Sequence, residues 1–373
     1  MVRLLVLTNM YPKETELYRN AFIHRRVVQY IHRDCDVRVF VMDKNKDKYG
    51  TYSFDGINVV EGNRNCLLDC IRDYKPDKIL IHFIDKDMMS TLKDLEFSYP
   101  SIVWVHGVEA LGWYRRLFNL YNKGFIKYIL RNMIQMYSLK KFIEKTKNKN
   151  VTFVFVSEWM KHITETDTLT KIEKYEVIPN VIDTNVFQYE EKDKFLRKKI
   201  LLIRPFESRK YANDIAIQAI VELSKRDVFK DMEFTIYGKG RLFDELIQPL
   251  LNFENVHIYN KYLTHGEIAN EHKKNGIFLC PTRQDSQGVS MCEAMASGLV
   301  PITSHNTAIP EFVTNKMTGF TTKNYKEIAD SIEQLYNNAD LFSKMSKATA
   351  QSIISKCNPV DVIDKELNLI MSK

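Results

Sequence analysis

Along the whole chain, short runs of β-branched and aromatic residues alternate with stretches whose apolar positions recur at helical spacing. That alternation predicts βαβ units and therefore parallel sheets. In the first half the strand candidates are 2–8, 36–42, 77–83, 101–105 and 151–156. A second series starts at KKILLI (198–203) and continues through EFTIY (233–237), NVHIY (255–259), GIFLC (276–280) and LVPIT (299–303). Between the two series lies TNVFQYEEKDKFLRKK (184–199), polar and charge-rich, which reads as an inter-domain linker. The expected fold class is α/β, with two domains of similar size, 1–183 and 184–357, and a C-terminal helix within 358–373. Ligands of such sheets sit beyond the carboxyl ends of the strands, and two facing domains make the cleft between them the first place to look.

The 373 residues suffice for two domains, and 45% hydrophobic content suits a folded globular chain. No window holds 18 uninterrupted apolar residues, so no transmembrane helix is expected. The opening MVRLLVLTNMYP has too short an apolar run for a signal peptide and no small-residue cleavage site. It reads as a first strand, and the expectation is a cytoplasmic protein. The six cysteines, Cys35, Cys66, Cys70, Cys280, Cys292 and Cys357, form no CxxC pair and mostly sit in apolar segments. Reduced core residues are expected there, and no zinc site.

The net charge of +7 is concentrated in residues 113–150, which carry ten Lys/Arg against the single acid Glu144. Apolar and aromatic residues (Leu117, Tyr121, Phe125, Tyr128, Ile129, Leu139, Phe142) interleave with these cations at helix-compatible spacing. A basic amphipathic helix of this kind reads as an anionic-membrane binder. The plainer alternative is the solvated face of a core-packed helix pair. No recognised nucleic-acid module surrounds the segment, so no nucleic-acid partner is expected.

Three places after strands carry candidate chemistry. After 198–203 comes RPFESRKYANDIAIQAI, in which Pro205 keeps Arg204 on a loop. A helix starting near Lys210 would put Arg209 and Lys210 at its N-terminus, where the macrodipole disfavours cations. A diphosphate would neutralise all three charges; solvated surface charge is the alternative. The second place is PTRQDSQGVSMCEAMASGLVPIT (281–303), with a helix from about Gly288 to Ser297, stopped by Gly298. That helix is small or apolar nearly throughout, and Glu293 is its one charge. A buried carboxylate needs a partner, either the two adjacent hydroxyls of a ribose or an internal cation. Asp285 precedes the first turn of amides, where a phosphate or sugar oxygen could be held, and it also suits a plain helix cap. The third place follows SIVWV (101–105), where His106 at a strand's carboxyl end could contact a sugar or be a structural histidine.

These sites, in this order, resemble glycosyltransferase family 4, retaining enzymes of the GT-B fold. The resemblance is patchy over 1–183 and close over roughly 176–321. VIPNVIDTNVF (177–187) resembles the segment entering the second domain, and Arg204 and Lys210 match the spaced cations that hold the donor diphosphate. YGKGRLFDEL (237–246), with Gly238, resembles the glycine loop near the nucleotide, and VHIYNKYLTHGEI (256–268), with Lys261 and Tyr262, the stretch passing the base. Asp285 and Glu293 occupy the acid, seven residues, acid motif, with Ser286, Gln287, Gly288 and Val289 between them. In the family the second acid binds the ribose and the first sits at the donor sugar. PEFVTNKMTGF (310–320) places Glu311 in the following Glu position, and His106 matches the histidine at the transferred sugar; Asn20 joins it on the acceptor side. Departures are Asp285 where Glu is usual, Gln287 for Phe, Thr307-Ala308 for Gly-Gly and Tyr211 for the Gly after the lysine. YPKETELYRNAFIHRR (11–26) stands in place of a glycine pair, with Asn20 or Ala21 where close backbone approach favours Gly.

The resemblance implies two Rossmann-like domains with parallel sheets facing across a cleft, and a C-terminal helix returning to the first. It implies retaining transfer of a hexose-type sugar from a UDP- or GDP-linked donor to a glycan or lipid-linked acceptor in cell-surface polysaccharide synthesis. The enzyme would lie at the inner face of the cytoplasmic membrane. Arg204 and Lys210 would neutralise the departing diphosphate, so no metal or cofactor is expected; His106 and Asp285 complete the catalytic set. Attack would come from the leaving-group face, with the leaving phosphate accepting the acceptor proton. Three rivals remain: a metal-dependent transferase using a D-x-D such as Asp85-Lys86-Asp87 or Asp34-Cys35-Asp36, a nucleotide-sugar epimerase of the same architecture, and a degenerate binding homologue. A dehydrogenase or P-loop NTPase is disfavoured, since neither glycine motif is present.

Overall fold

The computed structural model describes residues 1–16, 19–120 and 122–372. They form two units, one of residues 1–117, 122–180 and 360–373, the other of 118–121 and 181–359. In the first, β1 (Arg3–Thr8), β2 (Asp36–Met42), β3 (Gly50–Phe54), β4 (Ile57–Gly62), β5 (Lys78–His82), β6 (Ser101–Val105), β7 (Val151–Phe155) and β8 (Tyr175–Val177) make one sheet ordered β3-β4-β2-β1-β5-β6-β7-β8. Only the β3–β4 pair is antiparallel. Its turn is Asp55-Gly56, with φ of 51° and 74°, the left-handed pair that a two-residue hairpin requires. Neither hairpin strand was expected from apolar periodicity. The unit's helices are α1 (Ala21–His32), α2 (Arg64–Tyr74), α3 (Lys86–Asp94), α4 (Phe125–Thr146) and α5 (Glu158–Thr168). Strands β6 and β7 are buried at every position, as parallel strands covered on both faces must be.

The second unit holds β9 (Lys199–Ile203), β10 (Glu233–Gly238), β11 (Val256–Asn260), β12 (Ile277–Leu279), β13 (Val300–Ser304) and β14 (Phe320–Thr322), all parallel and ordered β11-β10-β9-β12-β13-β14. Its helices are α6 (Asn213–Leu223), α7 (Phe243–Ile247), α8 (His265–Lys274), α9 (Val289–Ala296), α10 (Ile309–Phe312), α11 (Tyr325–Asn337) and α12 (Ala339–Cys357). The chain runs from β9 outward through β10 and β11, then returns to the other side of β9 as β12. The carboxyl ends of β9 and β12 therefore flank the topological switch point, where helices diverge and leave a crevice.

The stretch 184–199 is not a free linker. Phe187 and Lys192 are buried, the Lys192 amine donates to the His272 carbonyl at 2.5 Å, and burial lowers its pKa to about 8. The last helix, α13 (Pro359–Met371), returns to the first unit from Val360 onward. Glu366, fully buried, receives Arg26 Nε at 2.8 Å and the Tyr30 hydroxyl at 2.5 Å, while Arg26 Nη2 reaches Asn180 Oδ1 at 3.2 Å. All six cysteines are buried and none is in a disulfide.

The basic segment also differs from expectation. Residues 113–119 form 3-10 turns, and the long helix is α4. Phe125, Leu139 and Phe142 point into the core, Tyr128 and Ile129 are half-buried, and Leu117 is exposed. Tyr121 lies outside the described residues. Among the described residues no helix is long and apolar enough to cross a membrane.

Candidate active site

Arg204 emerges from β9 at the switch point and is 4% exposed. Its Nη2 donates to the Cys280 carbonyl at 3.2 Å, its Nη1 stands 3.9 Å from Asp285 Oδ2, and its Nε has no partner among the described residues. A buried guanidinium with so few short bonds has donors to spare for an anion. The helix expected to begin near Lys210 begins at Asn213 instead, because Ala212 adopts φ 49° and ends a single 3-10 turn of Arg209–Tyr211. Arg209 turns outward to Glu245 at 3.9 Å, so two cations and not three occupy the site. Lys210 is half-buried and forms no ion pair among the described residues. Its Nζ lies 5.4 Å from the Tyr211 ring centroid, and Arg204 Cζ lies 5.8 Å from the same ring. One aromatic ring thus holds both cations beside the crevice.

The loop after β12 is tied to that turn. Arg283 N and Thr282 Oγ1 donate to the Lys210 carbonyl at 2.9 and 3.3 Å. The Arg283 guanidinium grips Asp214 with two bonds of 2.7 Å and donates to the Arg209 carbonyl at 2.8 Å. Further along, Asp285 Oδ1 accepts the Gly288 amide at 2.8 Å, and Asp285 N donates to Thr307 Oγ1 at 3.3 Å. Gly288, with φ 81°, then opens α9 without a side-chain cap. The first-turn amides of α9 accordingly face the crevice as anion donors. Glu293 sits one turn further on the same helix face as Val289; it is 7% exposed, whereas Met291, Cys292, Ala294 and Met295 are fully buried. Ser286 and Val289 are half-buried, and Gln287 turns inward, its amide 3.7 Å from Cys357 Sγ. Glu311 lies in α10, and its carbonyl accepts Lys356 Nζ at 2.6 Å.

The glycine loop has a packing reason. A Cβ on Gly238 would stand 2.3 Å from the Arg204 carbonyl oxygen, and one on Gly240 would stand 2.4 Å from Glu207 N. Backbones after β9 and β10 therefore touch, and Phe206 N donates to the Lys239 carbonyl at 2.9 Å. Tyr262 OH donates to that same carbonyl at 2.9 Å; partial burial, then the nearby Glu207 and Tyr211, raise its pKa. Lys261 pairs with Glu267 at 3.5 Å on the surface.

In the first unit, His106 follows β6 and is not solitary. Its Nε2 shares a hydrogen bond of 3.0 Å with His82 Nδ1, the two rings stack at 5.2 Å, and His82 also stacks on Trp104. Burial, aided by the Arg26 charge, holds both imidazoles well below their usual pKa, so both are neutral. Glu109 accepts the His106 and Gly107 amides, and burial raises its carboxyl to about 7. Asn20 adopts φ 51° just before α1 and donates to Asn9 Oδ1 and the Met10 carbonyl at 3.3 Å. This is the backbone conformation that glycine adopts freely and asparagine tolerates. Neither D-x-D triplet gathers as a site: Asp85 caps α3, Lys44 pairs with Asp85 and Asp87, and Asp34 occupies a φ 59° turn before β2.

Residues 182–352 match the family model described as Glycosyl transferases group 1. That match covers nearly the whole of the second unit. A poly(ribitol-phosphate) alpha-N-acetylglucosaminyltransferase of Staphylococcus aureus is 27% identical over 164 residues, 42% of this chain and 33% of that protein. The GtfA subunit of a UDP-N-acetylglucosamine–peptide N-acetylglucosaminyltransferase of Streptococcus agalactiae is 26% identical over 216 residues, 54% of this chain and 39% of that one. The aligned stretch spans well under half of either relative. Sucrose-phosphate synthase from Thermosynechococcus elongatus superposes with a TM-score of 0.75 at 12% identity, covering 99% of this chain and 98% of its own. That likeness is one of fold, and the fold is GT-B.

Within the matched stretch the expected residues Arg204, Lys210, Asp285 and Glu293 all lie at the β9/β12 switch point or on the helix that opens from it. Tyr211 and Arg283 organise the site and were not anticipated. Arg283 joins the β9 and β12 loops across some 70 residues of sequence, while Tyr211 lies within the β9 loop beside the two cations.

Proposed function

We propose that this chain is a retaining glycosyltransferase that takes N-acetylglucosamine from UDP and places it on a hydroxyl of a glycan or lipid-linked acceptor. The observation that carries the reading is the pair Arg204 and Lys210, held on the Tyr211 ring beside the uncapped N-terminus of α9. Two cations and a row of helix amides suit the charge that grows on a departing diphosphate. Glu293, one turn into α9, suits the ribose hydroxyls. The choice of sugar and nucleotide is supported by the names of two relatives, both N-acetylglucosaminyltransferases, one using UDP-N-acetylglucosamine by name.

In the reaction the bond from C1 to the β-phosphate oxygen breaks and a bond from the acceptor oxygen to C1 forms on the same face. The acceptor proton passes to the leaving phosphate. Side-chain cations take the neutralising role, so turnover should survive a chelator. The neutral His106 suits hydrogen bonding to a sugar hydroxyl and not proton transfer.

A thermal-shift series with UDP-N-acetylglucosamine, UDP-glucose and GDP-mannose, followed by product analysis, tests this. The expected result is a rise in Tm with the UDP sugars and, with acceptor, release of UDP and an α-linked product. No shift with any nucleotide sugar would sink the reading. An isomerised donor formed without acceptor would make the chain an epimerase instead.

A further inference from the structure

Helix α4 is apolar on two opposite sides. Phe125, Met136, Leu139, Phe142 and Ile143 face the core of the first unit. Ile126, Leu130, Met133, Ile134 and Tyr137, at i, i+4, i+7, i+8 and i+11, share the outer stripe and are 76, 59, 55, 56 and 64% exposed. Scattered surface apolar residues are ordinary, but five large ones in one continuous stripe mark a surface with an absent partner.

The charges along the stripe say what that partner is. Lys127, Arg131, Lys141 and Lys145 follow its flank on α4, against one acid, Glu144, which Lys141 already holds at 3.1 Å. Across from them α3 presents Lys86 and Lys93, while its acids Asp87 and Asp94 are taken by Lys44 and Arg64. Among the described residues Lys86, Lys93, Lys127, Arg131 and Lys145 form no ion pair. Between α3 and α4 lies a cavity of about 280 Å³ lined by Lys86, Lys93, Lys141, Lys145, Phe97 and Tyr137. The Lys93 charge lowers the Lys145 pKa, a sign of cations crowded without a counter-ion. A second copy of this chain, docked symmetrically, would set cations against cations.

We propose that the α3–α4 face is a membrane-docking surface for an anionic lipid bilayer, with the apolar stripe of α4 in the acyl boundary and lipid phosphates in the lysine pocket. The helix would lie in the plane of the interface, its stripe reaching among the headgroups and first methylenes. The inference does not rest on the transferase reading.

The test is flotation of the full chain with phosphatidylglycerol/phosphatidylcholine vesicles against phosphatidylcholine alone. The wild type should bind the anionic vesicles, more weakly as salt rises. Leu130→Glu/Ile134→Glu should cut binding at least tenfold, and Lys93→Ser/Lys145→Ser about fivefold per lysine. All these positions are exposed, so the variants should keep the wild-type circular dichroism and the Tm rise with nucleotide. If one pair failed to fold, the other would still decide. Absence of wild-type binding to anionic vesicles, or equal binding by the folded variants, overturns the proposal. So does a wild-type dimer in ultracentrifugation that Leu130→Glu/Ile134→Glu dissociates, with no vesicle binding, which gives the face to a second copy. A nucleotide-induced Tm rise without vesicle binding would leave the transferase reading intact while removing this one.

Discussion

Arg204 Nη1 stands 3.9 Å from Asp285 Oδ2, near enough to be attracted and too far for a charged hydrogen bond. The guanidinium is buried and oriented, yet its short contacts are few. Such a group binds an anion without first breaking a strong internal pair. Replacing Arg204 by Ala should lower kcat by about 10²–10³, the usual effect of losing one preorganised charge contact. Arg204→Lys should restore little, since one ammonium cannot reproduce the planar fork. Steady-state kinetics on the folded variants checks both; near wild-type turnover for Arg204→Ala would remove the diphosphate assignment.

Asp285 has a second duty, holding the Gly288 amide at 2.8 Å and so setting the loop before α9. Asp285→Asn keeps an acceptor there and should keep stability while lowering activity. Asp285→Ala loses the bond and should cost roughly 1 kcal/mol, as loss of a cap does. Urea unfolding of the two variants separates the roles. Equal stability of the two variants would contradict the loop-ordering role.

Acid should weaken the fold. Burial holds His82 and His106 well below 6.5, so below pH 6.5 the unfolded chain binds two protons that the first unit refuses, and stability falls. Glu109 opposes them: its carboxyl, raised from 4.5 to about 7, is protonated in the folded state throughout that window and favours folding as pH drops. Two refused protons outweigh the one that Glu109 takes up, so the net effect of acid on the first unit is a loss of stability. In the second unit His272, lowered to about 3, adds a loss of the same sign. Glu109→Gln removes the opposing group, so its stability should fall more steeply with acid than the wild type's. Chemical denaturation at pH 7 and 5.5 reads the slopes; a shallower slope in the variant would reverse the assignment.

Arg26 and Glu366 form a buried pair that fastens α13 to α1. Glu366→Ala strands the Arg26 charge and should cost about 3–5 kcal/mol. Arg26→Met/Glu366→Leu should recover much of that, because the desolvation of two charges disappears with them. Denaturant midpoints of the single and double variants report this directly.

Where the chain was regular, its sequence was legible. Apolar runs located β2 and β6 to the residue: β6 is buried at all five positions and β2 at its last four, Val39–Met42. The β3–β4 hairpin escapes apolar periodicity although Asp55-Gly56 in TYSFDGINVV carries its turn chemistry; β8 and β14, three residues each, lie outside the strand candidates, whereas β12 of the same length is marked by the apolar run GIFLC. The late start of α6 depends on the positive φ of Ala212, which no local preference announces. Helix α4 displays apolar residues on both sides, so its pattern could not say which side faces inward. In the site, residue types named Arg204, Lys210, Asp285 and Glu293, but the Tyr211 ring between the cations and the Arg283–Asp214 grip are tertiary facts. The same holds for His106, whose partner His82 lies on the neighbouring strand.

Calorimetric titration of UDP into wild type and Lys210→Ala, a half-buried position whose loss should leave the fold intact, is the most direct measurement. If Arg204 and Lys210 jointly hold the diphosphate, UDP binds the wild type and binds the variant at least tenfold more weakly. Equal affinity in the two proteins, or no binding of UDP to the wild type, contradicts a diphosphate cradle at the β9/β12 switch point.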